Sequence, residues 1–201
     1  MRLLIFSFLV TLSRPLDAQK VSKPLSAAES TTYLQLRDRV LTGDTAADFT
    51  ALRLLYARLP DEGKPSPSAV FDRARAAPDS LAARAILDSL VSAYVGHVRA
   101  QRDVGKIYEL RGDSTCARRQ AAIVRAFVRS IANTDGLTPE TAMLVTNIAE
   151  EYAVMESRGV KVTMQALLRG STSRGEESFD LLTGADSSGK SIELYFRLNW
   201  W

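Results

Sequence analysis

The stretch from Gly184 to Ser191, GADSSGKS, matches G-x-x-x-x-G-K-[ST], the pattern of a phosphate-binding loop. Such a loop aims backbone N–H groups at a phosphate from the N-terminus of a helix, and a lysine and a metal-bound hydroxyl complete the shell. The residues after Ser191 do not read as a helix. Ile192, Leu194, Phe196, Leu198 and Trp200 alternate with Glu193, Tyr195, Arg197 and Asn199, which is the period of a strand. Asp186-Ser187-Ser188-Gly189 is therefore expected to be a hairpin connection, and neither nucleotide nor any other cofactor is expected.

Few other residues have the types and spacing that chemistry requires. Glu150 and Glu151 occupy adjacent positions of a predicted helix, about 100° apart around its axis, so they face different directions and do not form a carboxylate pair with each other. Two roles remain for them: negative charge favoured near a helix start, or a buried charge paired with an arginine from the helical part of the chain. His97 is the sole histidine, with no serine, cysteine or aspartate at a spacing typical of a catalytic set, and reads as a partly buried residue at a helix junction. One histidine and one cysteine make a zinc site unexpected. Arg111-Gly112-Asp113 and Gly112-Asp113-Ser114 imitate an integrin tripeptide and a hydrolase nucleophile motif, but both fall on a turn between helices. No catalytic residue is assigned. Glu151, Tyr152 and His97 are the candidates for contacting a ligand.

The elements that must hold these residues begin after a leader. One arginine precedes an apolar run from Leu3 to Leu12, followed by Pro15 and the small residue Ala18, the order of a secretory signal peptide over residues 1–18. No later apolar stretch is long enough to span a bilayer. Removing residues 1–18 takes away two arginines and one aspartate, leaving 24 basic and 22 acidic side chains, a net +2. The arginines are scattered along helices, so nucleic acid is not an expected partner. Cys116, the sole cysteine, allows no intrachain disulfide and lies far from the leader, which excludes a lipid-anchored cysteine. A periplasmic or secreted protein without a membrane anchor is expected.

Residues 19–25 read as a flexible leader, and Ser26 with Glu29 has capping-box spacing at the start of a helix that runs to Gly43. Asp48 opens a second helix ending at Pro60, PDEGKPSPS is a loop, a short helix runs from Ser68 to Pro78, and Asp79 caps a long one. Val104-Gly105, Tyr108, Gly112, Ala117 and Ala121 then reproduce the spacing of a tetratricopeptide unit, with Gly112-Asp113 as its turn and Ala117 and Ala121 between its helices. After the DGLTPE turn the pattern changes. Met143–Ile148 suits an edge strand, AEEYAVMESRG a short helix stopped by Gly159, and Val160, Val162, Met164, Ala166 and Leu168 alternate as the inner face of a strand. Phe179 and Leu181 begin another, with STSRGEE, Ser171 to Glu177, as an inserted loop before it.

The fold class expected is thus α+β: a helical, tetratricopeptide-like region over 26–135, docked as one unit on a small antiparallel meander with one helix over 136–201. The stretches DFTALRLLYARLP, LTPETAMLVTNIAEEYAVMESRGVKVTMQALL and SFDLLTG…GKSIELYFRLNW together resemble a family of secreted bacterial proteins catalogued as a domain of unknown function. The resemblance covers about residues 34 to 201 and implies secretion and the helices-then-strands order, but carries no activity. This chain departs from that family in its richness in Ala and Arg and in the STSRGEE insertion. The leading expectation is a non-catalytic binding or scaffolding protein whose partner is a protein or peptide of the cell envelope. The alternative is a small envelope hydrolase using Glu151 with His97.

Overall fold

The computed structural model describes residues 23–60, 64 and 66–198. The residues expected to form a signal peptide (1–18), most of the expected leader, the centre of the PDEGKPSPS loop and residues 199–201 lie outside the described residues.

Six helices come first: α1 (Ala27–Leu41), α2 (Phe49–Tyr56), α3 (Pro67–Ala76), α4 (Ser80–Ala93), α5 (Val98–Leu110) and α6 (Ser114–Ile131). Their starts follow from local chemistry. Ser26 Oγ accepts from the Glu29 amide while Glu29 Oε2 accepts from the Ser26 amide at 2.7 Å, the reciprocal box anticipated above. Asp48, Asp79 and Asp113 each accept from the amide three residues on, starting α2, α4 and α6. α5 and α6 form the tetratricopeptide-like pair. Gly112, at φ +76, supplies the left-handed turn between them. A Cβ built on Gly105 would already sit 3.4 Å from Gln120, so α5 and α6 approach closely at that point.

α6 is the spine of the molecule, because its faces enter three successive cores. Ile123, Ala126 and Phe127 join α1 and α2 around Leu36, Val40, Phe49 and Leu52, with the Phe49 and Phe127 rings edge to face at 4.8 Å. Cys116 joins α3, α4 and α5 around Phe71, Leu87, Leu90 and Ile107. Ile131 enters the core of the sheet. Ala121 lies outside all three. It is exposed, and the contact with α5 is made by Cys116 and Gln120, one position earlier on each turn, which corrects its expected place between the helices.

β1 (Met143–Val145), α7 (Ile148–Ser157), β2 (Lys161–Thr172), β3 (Gly175–Ala185) and β4 (Ser191–Leu198) follow, and the strands lie in the order β1-β4-β3-β2. β2, β3 and β4 form the antiparallel meander expected. β1 is at the edge as anticipated, yet it runs parallel to β4, so the sheet is mixed. The class is α+β. α7 is stopped by Gly159, φ +68, just beyond its last residue, and packs between the sheet and the helices, with Val154 and Met155 fully buried.

Two details of β2 and β3 differ from expectation. β2 extends through Thr172 and β3 begins at Gly175, so STSRGEE is the tip of a long hairpin with only Ser173 and Arg174 in its turn. The register of β2 also shifts between Val162 and Met164, leaving Thr163 without a partner. Cross-strand partners share a face, and the extra residue reverses the alternation. Val162 lies opposite Gly184 on the inner side, but beyond the bulge Gln165, opposite the buried Leu182, takes that side. Met164 turns outward and is 49% exposed. The expected inner row of Val162, Met164, Ala166 and Leu168 is therefore broken at the bulge.

Candidate functional site

GADSSGKS closes the β3–β4 hairpin. Asp186 Oδ1 accepts from the Ser188 amide at 2.9 Å and from the Lys190 amide at 3.0 Å, and Gly189 sits at φ +83. The N–H groups that a phosphate loop would offer are thus taken by a carboxylate, and a strand follows where a phosphate site needs a helix. Those contacts hold the Asp186 carboxyl below the usual range, the Ser188 hydroxyl contributing most.

The bend after β1 and the first turn of α7 deliver two carboxyls into the interior. Glu150 meets Arg53 of α2, Nη1 to Oε2 at 2.5 Å, and accepts from the Thr146 amide at 2.8 Å. Arg53 is 1% exposed and Glu150 0%. The remaining guanidinium N–H groups reach Ser130 Oγ at 3.1 Å and, more distantly, the carbonyls of Ser130 and Leu144. One arginine thereby ties α2, α6, β1 and α7 together. Burial pushes the Glu150 carboxyl up, while the Arg53 charge and the Thr146 amide oppose it. Of the two roles weighed for these glutamates, Glu150 has the buried pairing with an arginine.

Glu151 turns the other way, toward the sheet. Gln165 Nε2 donates to Glu151 Oε2 at 3.3 Å and to Asp180 Oδ2 at 3.1 Å, while Gln165 Oε1 accepts from the Tyr152 hydroxyl at 3.2 Å. Glu151 and Asp180 are both buried, and Glu151 Oε1 is enclosed without a hydrogen-bond partner. Burial, with the Asp180 charge next, pushes Glu151 up to about 9, so it carries a proton at neutral pH. The bulge at Thr163 is what sets Gln165 on this side. A carboxylate pair does exist, then, but between α7 and β3, and it faces the interior.

His97 stands apart from this cluster. It is the N-cap of α5, its Nδ1 accepting from the Ala100 amide at 3.3 Å, with the Tyr94 ring edge-on at 6.1 Å. It lines a depression with Phe71, Tyr94 and Arg99, whereas Tyr152 lines another with Arg102, Ile148 and Val162. Glu151 lines neither, so the structure does not bring the three candidates to a common surface.

What the surface does offer is a groove over the tetratricopeptide-like pair. Three depressions meet at Arg102: one between α5 and α6 over Gly105 and Ala121, one between α6 and α7 over Val124, Val128 and Ala153, and one between α5 and α7 over Ile148 and Tyr152. The middle one holds about 470 Å³. Arg102 donates to Glu156 of α7 at their junction. Among the described residues no cluster of three or more His, Cys, Asp or Glu side chains is arranged to hold a metal, and no helix is long and apolar enough to cross a membrane.

Arg53, Asp180, Gln165 and the groove cations were not picked out by sequence reasoning. The signal for Arg53 is its place among Phe49, Leu52 and Tyr56, where a helix facing a core has no reason to carry a lone charge. Asp180 likewise occupies the same face as Leu182. No family model, curated protein or solved structure matches the chain.

Proposed function

We propose that the protein is a secreted or periplasmic binding module, without chemistry of its own, that receives a segment of another envelope protein in the groove over α5, α6 and α7. The observation that carries this reading is the continuity of three depressions around Arg102, floored by Gly105, Ala121, Val124, Val128 and Ala153. Small and branched apolar residues along a recess let a ligand backbone come close, and tetratricopeptide-like pairs bury ligands in such recesses. The buried carboxyls support the same reading, since Glu150 and Glu151 are both 0% exposed and engaged within the fold. Secretion rests on the leader-like order of Arg2, the apolar run and Ala18, and on the resemblance to a secreted family.

A photo-cross-linking amino acid at Val124, expressed in the host envelope, tests the site. The expected result is a discrete adduct from Val124 and none from the same group at exposed Lys190. Adducts of equal yield from both positions, or none from Val124, would overturn the reading. Intact mass of the exported protein tests the leader: a chain beginning at Gln19 is expected, and a chain retaining residues 1–18 would refute secretion by this route.

A further inference from the structure

The groove is apolar along its floor and cationic along its sides. Arg99, Arg102 and Lys106 project from α5 at spacings of three and four, hence from one helix face, and Arg125 and Arg129 from α6 at a spacing of four. The acidic residues lining it are Glu109 and Glu156. Asp103, at the neighbouring depression, lies 3.7 Å from Arg99 and 3.6 Å from Arg102, so part of that charge is balanced. Lys106, Arg125 and Arg129 are exposed and make no ion pair with any described residue. Lys106 on α5 and Arg125 with Arg129 on α6 are thus the unpaired cations beside Val124 and Val128.

Arg102 shows what those cations take. It bridges from α5 to α7 by donating to Glu156, whose carboxylate is 58% exposed. Its Nε is buried and makes no hydrogen bond. A glutamate of the protein itself therefore sits between two of the three depressions, held to Arg102 by one ion pair whose acidic partner is open to water, where such pairs are worth little. A carboxylate arriving with the rest of a ligand buried on the apolar floor can replace it.

We infer that the groove binds an extended acidic segment of a partner protein, alternating carboxylates with apolar side chains, whose carboxylates pair with Lys106, Arg125 and Arg129 and take Arg102 from Glu156. This rests on the binding-module reading and names its ligand. Charge complementarity selects the acidic partner, and the recessed floor selects a chain that can lay apolar side chains into it. A flat membrane surface would meet the cations without reaching Val124 and Val128. A nucleic acid would find one aromatic side chain, Tyr152, against which to stack.

Selection of a random 12-residue peptide display library on the parent protein and on the Arg125→Glu/Arg129→Glu variant tests this, with the affinity of enriched peptides read by fluorescence anisotropy. Both positions are exposed, and a circular dichroism spectrum matching that of the parent is the check that the variant folds. Peptides with Asp or Glu interleaved with Leu, Val or aromatic residues are expected, weakened about tenfold or more by the double reversal and by added salt. They should bind several-fold tighter to Glu156→Gln, which frees Arg102; weaker binding there would overturn the inference. Enriched peptides without acidic bias that are still lost on the double variant overturn the acidic ligand but keep the binding module. Peptides that bind parent and variant alike, or no enrichment at all, overturn both. Displacement of the acidic peptide by a lower concentration of single-stranded oligonucleotide, or of phosphatidylglycerol vesicles, would reassign the groove to that ligand.

Discussion

Arg53 and Glu150, separated by 97 positions, meet at 2.5 Å in the interior, and both side chains are almost wholly withdrawn from solvent. Their contact joins the helical region to the α7–sheet region, and Ile131 of α6, buried with Met143, Val154 and Leu194, reinforces the joint. A buried charge pair of this kind contributes little net stability beyond what well-packed apolar side chains would, because desolvation of two ions offsets much of their attraction.

Removing one partner leaves the other charge stranded. Glu150→Ala is expected to cost about 3–5 kcal/mol in urea unfolding, whereas Arg53→Met with Glu150→Leu should recover most of that loss. Far-ultraviolet circular dichroism and the amide resonances of the sheet should report one coincident transition for the parent, because the pair spans both regions. Two resolved transitions, or a double variant no better than the single one, would show that the regions are energetically separate.

Glu151 should make stability depend on alkaline pH. Its carboxyl is raised to about 9 by burial and Asp180, so the fold retains a proton that the unfolded chain releases near 4.5, the ordinary glutamate range. The folded state then holds more protons, and the stabilisation, complete at pH below that value, falls by up to about 1.4 kcal/mol per pH unit until the folded group itself ionises. Glu151→Gln cannot ionise, and its melting temperature should exceed that of the parent increasingly between about pH 6 and pH 9. Parallel melting curves across this range would show that Glu151 is not protonated in the fold. Opposing this, Glu29 and Glu177 are held down to about 2, chiefly by Arg58 and Arg174, and their contribution is lost as pH falls from the ordinary carboxylate range toward that value.

In the β3–β4 hairpin, Asp186 matters and Lys190 does not. Asp186→Ala removes the acceptor of the Ser188 and Lys190 amides and should cost about 1 kcal/mol, while Lys190→Ala, an exposed change, should stay within about 0.5 kcal/mol. ATP should leave the melting temperature of the parent unchanged. An ATP-induced rise that Lys190→Ala abolishes would restore the phosphate-loop reading.

Two small residues near the tetratricopeptide-like pair should respond in opposite ways to enlargement. Ala121 is exposed, so Ala121→Leu should change stability by no more than about 0.5 kcal/mol. A Cβ on Gly96, by contrast, would run into the Tyr56 side chain, and Gly96→Ala should cost about 1–3 kcal/mol. Denaturant midpoints of the two variants measure both, and a larger loss for Ala121→Leu than for Gly96→Ala would mean that α6 is rotated from the position described.

Legibility in the sequence tracked the range over which each cause acts. Ser26 with Glu29, Asp48, Asp79, Gly112 and Gly159 act on neighbours within a turn, and the starts or stops they imply are those observed. The hairpin in GADSSGKS was legible for the same reason. The bulge at Thr163 was not, because no residue near it marks the slip; it reflects how β2 fits β3, where a Cβ on Gly184 would run into the Lys161 carbonyl. The partner of Glu151 was hidden by the same slip, which sets Gln165 beside Asp180. The groove was invisible because Arg99, Arg102, Arg125 and Arg129 look scattered along the chain and become two facing rows only when α5 folds against α6.

The position of β4 between β1 and β3 has a consequence for how the chain assembles. Whether it emerges from a ribosome or across a membrane, the chain delivers β1, α7, β2 and β3 before β4, so the seat between β1 and β3 stands empty until β4 follows. Until β4 slides in, Met143, Val145 and Ile131 have no cover from Leu194 and Phe196. The sheet is therefore sealed by a keystone that arrives late, and a nascent chain stalled short of it would display an apolar cleft of the kind that chaperones hold.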